Sequence, residues 1–230
     1  MNESSKTNAI RGNEFFQLYL NGKVLDIGAG LDPVCKDAII FDQQHGDANF
    51  IQNYFTAGSF DTVHSSHCLE HMIDPMTSLE GWWSLVKPGG YMITVVPHED
   101  LYEQGIWPSF FNDDHKSTFR IDKPNSWSPA SFDIAELHLS LPASVMISTE
   151  IHSHNLITDL LFKGFRKPRK IKQPWKLLMS ILKRTTNTQN KIRIKYIKWL
   201  VGNGYPFDQT AGDALAQIQV IIQKKVDSSI

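Results

Sequence analysis

Two glycines and an acid, each following a short apolar run, are the first residues whose types and spacing could do chemistry. Gly28 and Gly30 come directly after "KVLDI", and Asp42 ends the run "AIIF" a few residues later. A glycine turn after a parallel strand lets the backbone approach a ligand, and an acid ending the next strand can accept hydrogen bonds from a ribose diol. The pattern therefore predicts a site for a nucleoside-type ligand.

The turn departs from the dinucleotide-binding pattern G-x-G-x-x-G. The last glycine of that pattern allows close packing of helix and strand, and the helix N-terminus faces the pyrophosphate. Pro33 stands at that position, and the few residues between Gly30 and Ile39 leave room for one helical turn at most, with Asp32 as its cap. A nicotinamide-dependent oxidoreductase is therefore the disfavoured alternative.

The elements that must position these residues follow from the apolar pattern. β-branched and aromatic runs bounded by polar residues predict strands, and a helical pattern begins near Pro75. Strands that alternate with helices indicate an α/β protein with a mainly parallel sheet and layers on both faces. The predicted strands are "KVLDIGAG", "AIIFD", "FDTVHSS", "YMITVVP", "SVMISTEIH" and "ALAQIQVIIQKK".

Four motifs in the same order and spacing carry a resemblance to a known family. They are "VLDIGAG" with Asp42, "GDAN", "SFDTVHSSHCLEHM" and "LVKPGGYMITVVP". Together they resemble the successive motifs of class I S-adenosylmethionine-dependent methyltransferases, especially the small-molecule branch. The resemblance covers residues 13–97 and a terminal strand near 214–225. It implies S-adenosylmethionine as cofactor and a Rossmann-like, seven-stranded, mostly parallel sheet, which here has abbreviated helices around the second strand.

The resemblance also implies where the cofactor binds. Two departures from the family pattern bear on this site: Asp32 replaces the third glycine, and only residues 43–46 separate Asp42 from Asp47. Asp47 has an alternative interpretation as the former of an Asx turn. The implied cofactor residues are Asp26, Gly28, Ala29 and Gly30 beside the methionine part, Asp42 at the ribose, Asp47 and Ala48 beside the adenine, and Ser65, Ser66 and His67 closing the site.

Residues 98–130 predict an acceptor-binding loop. The segment is rich in aromatic and polar residues, and a structureless loop of this length is uncommon unless it is functional. A hydroxyl acceptor loses its proton during methyl transfer, and histidine is the base best matched to neutral pH. We predict His115 as this base, oriented by Asp114 or Asp113, with His98 as the second choice.

Two groups of residues have the composition of metal ligands. His64, His67 and His71 have suitable spacing for a helix, but His64 lies in a predicted strand, so the three side chains should diverge. The run "NDDH", residues 112–115, offers oxygen and nitrogen ligands and is equally well interpreted as a polar turn. We predict no metal site.

Residues 159–204 form a predicted insertion before the last strand, and its central part, 163–198, contains many Lys and Arg residues and no acid. Helical spacing in "PWKLLMSILKR" is compatible with a packed helix, a homodimer interface, a peripheral membrane element or a contact to an anionic substrate. The whole chain has 23 basic and 24 acidic residues, which predicts no general attraction to nucleic acid.

The remaining composition predicts a cytoplasmic protein with a single domain over residues 1–230. The chain has two cysteines, no apolar signal segment and no run long enough to span a membrane. The combined expectation is an S-adenosylmethionine-dependent methyltransferase that methylates a hydroxyl of a small polar acceptor, such as a sugar or glycan precursor. A noncatalytic S-adenosylmethionine-binding partner protein is the alternative from another class.

Overall fold

The computed structural model describes residues 3–163, 168–169 and 191–226. Its helices are α1 (Glu3–Asn8), α2 (Asn13–Tyr19), α3 (Pro75–Ser84), α4 (Ile134–Leu139) and α5 (Lys191–Gly202). Its strands are β1 (Val24–Ile27), β2 (Ile39–Phe41), β3 (Phe60–Ser66), β4 (Val86–Pro97), β5 (Thr118–Arg120), β6 (Ser131–Asp133), β7 (Ser144–His152) and β8 (Gln217–Lys224). Shorter helical turns span Ala48–Asn53, Leu69–His71, Glu99–Glu103 and Thr158–Leu160.

The described residues form a main sheet with the strand order β2-β1-β3-β4-β8-β7. Strands β1 to β4 pair in parallel, and β8 runs antiparallel to both β4 and β7. The six strands predicted from the sequence all lie in this sheet. The α/β architecture is confirmed, with a mixed sheet in which three strand pairings are parallel and two are antiparallel.

The predicted number of seven strands is wrong for the described part of the chain, because the main sheet has six. A further parallel strand would need a crossover of about a dozen residues. The connection from β2 to β3 contains only the short turn Ala48–Asn53, so it has no room for a strand and its crossover. Strands β5 and β6 pair with each other in a separate two-stranded sheet.

The connection from β1 to β2 contains no helix, so the predicted helical turn capped by Asp32 is absent from it. The carboxylate of Asp32 instead accepts hydrogen bonds from Ser5 of α1, including one of 2.9 Å from its backbone N–H. Helix α1 is therefore tied to the loop that follows β1. The expectation of abbreviated helices around β2 agrees with the structure.

Helix α3 begins as its sequence predicts. Asp74 accepts hydrogen bonds from the backbone of Met76 and Thr77, and Pro75 occupies the first turn. The helix buries Trp82 and Trp83 in the main hydrophobic core. The indole of Trp82 donates to the carbonyl of Ala48 at 2.9 Å. The core thereby fixes the backbone that follows β2.

A second, smaller cluster of buried residues contains Leu160 together with Ile197 and Leu200 of α5 and Phe207. Within the predicted basic segment, residues 164–167 and 170–190 lie outside the described residues, so the interpretations of "PWKLLMSILKR" concern a part that the structure does not describe. In the described part of the chain, no helix is long and apolar enough to cross a membrane.

Candidate active site

The turn after β1 has a backbone that requires glycine. Gly28 has a φ of +77° and Gly30 a φ of +57°, in the left-handed region that glycine adopts without strain. A Cβ atom on Gly28 would lie 2.8 Å from the sulfur of Cys68. The turn can therefore pass close to the end of β3 only because this side chain is missing.

Asp42 points toward this turn, as the sequence predicts. Its Oδ2 atom accepts a hydrogen bond of 2.7 Å from the backbone N–H of Gly30, and its Oδ1 atom accepts one of 2.6 Å from the N–H of Gln43. Each carboxylate oxygen has a further lone pair that can accept another hydrogen bond. The glycine turn and Asp42 are thus held together by hydrogen bonds, and the carboxylate of Asp42 can still accept hydrogen bonds from a ligand.

A cleft lies at the carboxyl ends of β1, β2 and β3, and it consists of two adjoining cavities. The first, about 710 Å³ in volume, is bordered by Gly28, Asp42, Asp47 and Ala48. The second, about 310 Å³, is bordered by Ala29, Ser66, Glu70, Tyr102 and His115, among others. Gly28, His67 and His71 border both cavities. An open α/β sheet binds its ligands at this end of its parallel strands.

Asp26 lies below the turn rather than on the surface of the cleft. The residue is fully buried. Its Oδ2 atom accepts a hydrogen bond of 2.6 Å from the backbone of Val34, and its Oδ1 atom lies 2.6 Å from Nδ1 of His64. Asp26 and His64 therefore support the loop from beneath. The side chain of Asp26 does not lie beside the first cavity as the sequence interpretation expects.

Asp47 has the Asx-turn role of its sequence interpretations. Its Oδ1 atom accepts hydrogen bonds from the backbone and the side chain of Asn49, at 2.9 and 2.7 Å, which caps the turn Ala48–Asn53. Asp47 and Ala48 also border the larger cavity. An Asx-type cap thus holds these two residues in the wall of the cleft.

The end of β3 supplies the residues that separate the two cavities. Ser65 and Ser66 are buried at the end of the strand. His67 follows in a left-handed conformation, with a φ of +52°, and its Nε2 atom lies 3.0 Å from the side-chain oxygen of Gln217 in β8. The antiparallel strand β8 therefore orients His67 at the centre of the cleft.

His115 is buried beside the smaller cavity, but its acidic partner differs from the predicted one. Its Nδ1 atom lies 2.7 Å from Oε1 of Glu103, whose Oε2 atom accepts a hydrogen bond from Ser109. Asp114, the predicted partner, is largely exposed and contacts His71 instead, with 3.0 Å between Oδ2 and Nδ1. Asp114 lies in a turn that the N–H of His115 closes by donating to the carbonyl of Asn112 at 3.3 Å, and this turn places the carboxylate of Asp114 beside His71.

The electrostatic environment of His115 is negative. Burial lowers the pKa of His115, but the hydrogen bond to Glu103 and the charges of Glu70, Glu103 and Asp114 outweigh burial, and the net pKa is raised. The ring of Tyr102 stacks on His115 with 5.4 Å between centroids. Burial also raises the pKa of Tyr102, so this phenol remains protonated at neutral pH.

His98 has a structural role at the end of β4. Its Nδ1 atom accepts a hydrogen bond of 3.1 Å from the backbone of Asp100 and so caps the turn Glu99–Glu103. Burial lowers the pKa of His98, although the charge of Asp100 opposes this effect. The structure therefore brings the first-choice histidine to the cleft and uses the second-choice one as a cap.

The sequence analysis missed several residues that border the smaller cavity. They are Glu3 and Ser4 of α1 and Glu70 after β3, whereas His71 was weighed as a metal ligand and Tyr102 lies in the predicted acceptor-binding loop. Glu70 and His71 lie within the quoted motif "SSHCLEHM", so their position after a strand that ends at the cleft was a usable signal. No local signal marks Glu3, because its place depends on the docking of α1.

Comparison with known proteins identifies the class to which this fold and cleft belong. A family model described as a methyltransferase domain matches residues 11–128, slightly more than half of the chain. The chain belongs to this family. It is an S-adenosylmethionine-dependent methyltransferase, and its cofactor is S-adenosylmethionine.

Many solved structures are similar in fold, and two of them illustrate the similarity to this chain. A SAM-dependent methyltransferase from Archaeoglobus fulgidus is 19% identical and has a TM-score of 0.51, with 97% of this chain and 95% of that chain covered. The YcgJ protein from Bacillus subtilis is 14% identical and has a TM-score of 0.50, with 96% and 98% covered. No curated protein sequence matches this chain significantly.

Proposed function

We propose that this enzyme transfers a methyl group from S-adenosylmethionine to a hydroxyl of a small polar acceptor, such as a sugar or glycan precursor. The observation that carries the proposal is the smaller cavity. Most of its bordering side chains carry hydrogen-bonding groups, and it adjoins the larger cavity at Gly28 and His67. A polyhydroxylated molecule would find many partners there, whereas a flat apolar molecule would leave these groups unpaired.

The larger cavity, together with the adjoining part of the smaller cavity beside Ala29 and Ser66, is the proposed cofactor site. Asp42 would bind the ribose hydroxyls, and Asp47 and Ala48 would flank the adenine. Gly28, Ala29 and Gly30 would offer the backbone of the turn to the methionine part. Ser65, Ser66 and His67 would close the site on the side of β3. Asp26 supports this arrangement from below, because its carboxylate fixes the loop through Val34.

In the proposed reaction, the acceptor oxygen attacks the methyl carbon in line with the carbon–sulfur bond. The bond to sulfur breaks, its electron pair stays on sulfur, and S-adenosylhomocysteine leaves. The hydroxyl proton passes to Nε2 of His115, while Glu103 holds Nδ1 and stabilises the imidazolium that forms. Before the transfer, the positive sulfonium favours the neutral, proton-accepting form of the ring.

A binding measurement followed by an acceptor screen tests this function. Calorimetry should detect binding of S-adenosylhomocysteine and no binding of NADH. Labelled S-adenosylmethionine should then transfer its methyl group to members of a panel of sugars and nucleotide sugars, and not to a matched panel of flat phenols. Methylation of amines alone would refute the hydroxyl assignment. Cofactor binding without any methylated product would favour a noncatalytic partner protein.

A further inference from the structure

Glu70 presents a buried carboxylate for which the described residues provide no hydrogen bond. The residue is 1% exposed, and neither of its carboxylate oxygens has a hydrogen-bond partner in that part of the chain. It borders the smaller cavity. A buried carboxylate without a donor or a cation costs several kcal/mol. Its position therefore points to a positively charged partner in the cavity.

Three imidazole rings face the same carboxylate oxygen, and the nearest is His67, whose Nδ1 atom lies 3.6 Å from Oε1 of Glu70. The Nε2 atom of His71 lies 3.9 Å from Oε1 of Glu70, and the Nε2 atom of His115 lies 4.0 Å from it. The candidate ligand atoms of Glu70, His71 and His115 all lie within 4.8 Å of one another. Bonds of 2.0 to 2.2 Å to one tetrahedral ion would separate such atoms by about 3.4 Å. The distances from His71 and His115 to Glu70 would have to shorten by about half an ångström, and the separation of these two imidazole nitrogens by up to about 1.4 Å.

The outer nitrogen of the His71 ring and that of the His115 ring are already held. Nδ1 of His115 lies 2.7 Å from Glu103, and Nδ1 of His71 lies 3.0 Å from Asp114. Carboxylates that fix Nδ1 and leave Nε2 for the ion are the usual outer partners of metal-binding histidines. This pattern gives each of the three carboxylates in the cluster a role. Glu103 and Asp114 hold the histidine rings, and Glu70 is left as a ligand for the ion.

The backbone also ties the two ligand-bearing segments together. The N–H groups of Lys116 and Ser117 donate to the carbonyl of Glu70, at 2.8 and 3.2 Å. The side-chain nitrogen of Lys116 donates to the carbonyl of His71 at 2.5 Å. The loop that carries His115 is therefore fixed beside the turn that carries Glu70 and His71, and little rearrangement is needed for a common ligand.

We propose that Glu70, His71 and His115 bind one divalent transition-metal ion in the smaller cavity. One carboxylate and two imidazoles favour ions such as Zn²⁺, Co²⁺ or Mn²⁺, whereas Mg²⁺ and Ca²⁺ prefer oxygen ligands. Three protein ligands leave coordination positions open on the side of the cavity. A hydroxyl of the acceptor can occupy such a position.

This inference deepens the proposed function, and it rests on that function only for the use of the ion. An ion and a proton compete for Nε2 of His115. In the metal-loaded enzyme, His115 would be a ligand and not the base, the ion would lower the pKa of an acceptor hydroxyl bound to it, and the proton of that hydroxyl would pass to water. Metal binding itself needs neither cofactor nor acceptor, so it can be tested separately.

The test is a calorimetric titration of untagged, chelator-treated protein with Zn²⁺ and Co²⁺, in the absence of cofactor and acceptor. We expect one ion per chain and a visible absorption band for the Co²⁺ form. Glu70→Gln, which keeps the shape of the side chain, should lower the affinity by about 100-fold or more. The exposed His154 provides a matched control, and His154→Gln should bind the ion as the unsubstituted protein does.

His71→Gln is the second variant, because His71 is partly exposed and its loss is less damaging to folding than the loss of buried Glu70. Circular dichroism and S-adenosylhomocysteine binding report whether each variant folds. Absence of saturable binding, or equal affinity in folded Glu70→Gln or His71→Gln, would overturn the inference. Full methylation by metal-free enzyme would overturn the use of the ion in the reaction while leaving the proposed function intact. Tight metal binding without any methylated product would support the metal site and contradict the proposed function.

Discussion

The two halves of the cleft are built in different ways. The proposed cofactor half comes mainly from a short stretch of chain, residues 28–48, in which Asp42 bonds directly to Gly30, and His67 after β3 completes it. The acceptor half brings together Glu70 after β3, Glu103 after β4 and His115 in the loop beyond it. A site made of neighbouring residues can be identified from a motif, whereas a site made of distant segments depends on how they pack.

Removal of the imidazole of His115 should separate the two halves most clearly. We expect His115→Ala to lower turnover by about 100-fold or more, because the acceptor hydroxyl loses the group that activates it. Affinity for S-adenosylhomocysteine, measured by calorimetry, should stay unchanged. His154→Ala, at an exposed histidine, is the control. Unchanged turnover would show that acceptor activation lies elsewhere, and a loss of cofactor affinity would show that the two halves are not independent.

The converse change is Asp42→Ala in the cofactor half. It should cost on the order of 2–3 kcal/mol of cofactor affinity, because two ribose hydroxyls lose a charged acceptor. Asp42→Asn keeps an acceptor at the same place and should cost less. Calorimetry with S-adenosylhomocysteine measures both variants. If Asp42→Ala binds the cofactor as tightly as the unsubstituted enzyme, the assignment of Asp42 to the ribose is wrong.

Burial alone does not make a histidine part of the site, as His138 of α4 illustrates. Its ring is fully buried between the carbonyl of Ile134 and the hydroxyl of Thr94. Burial lowers the pKa of His138 to about 4, although the hydrogen bond to Ile134 opposes this effect. For His115, in contrast, nearby carboxylates outweigh burial and raise the pKa.

The lowered pKa of His138 predicts a loss of stability in mild acid. The unfolded chain takes up a proton near pH 6.5, whereas the folded protein does so only near pH 4, so unfolding is favoured as the pH falls through this window. The free energy of unfolding should fall by about 2 kcal/mol between pH 7 and pH 5 through this group. Urea unfolding of the unsubstituted protein and His138→Gln at both pH values measures it. Equal pH dependence in the two proteins would contradict the expectation.

Most of the fold was predictable from the sequence, because each strand of the main sheet is an apolar run with clear boundaries. The wrong strand number came from the family resemblance, although the short connection from β2 to β3 already left no room for a seventh strand. His115 could be proposed from residue type alone. Its partner Glu103 could not, because the pairing depends on the helical turn Glu99–Glu103 and on packing of the loop against it.

Glu103 and Asp114 are the two candidate partners of His115: Glu103 is its neighbour in space, and Asp114 is its neighbour in sequence. Substituting each in turn tests which of the two carboxylates orients the ring. Glu103→Gln keeps an acceptor near Nδ1 of His115 but removes its charge, so we expect turnover to fall by about 10-fold with unchanged cofactor affinity. Asp114→Asn should have a smaller effect, because this exposed carboxylate contacts His71 and water screens its charge. Steady-state kinetics with one acceptor measures both variants. A larger loss in Asp114→Asn would mean that the neighbour in sequence, rather than the neighbour in space, orients His115 during the reaction.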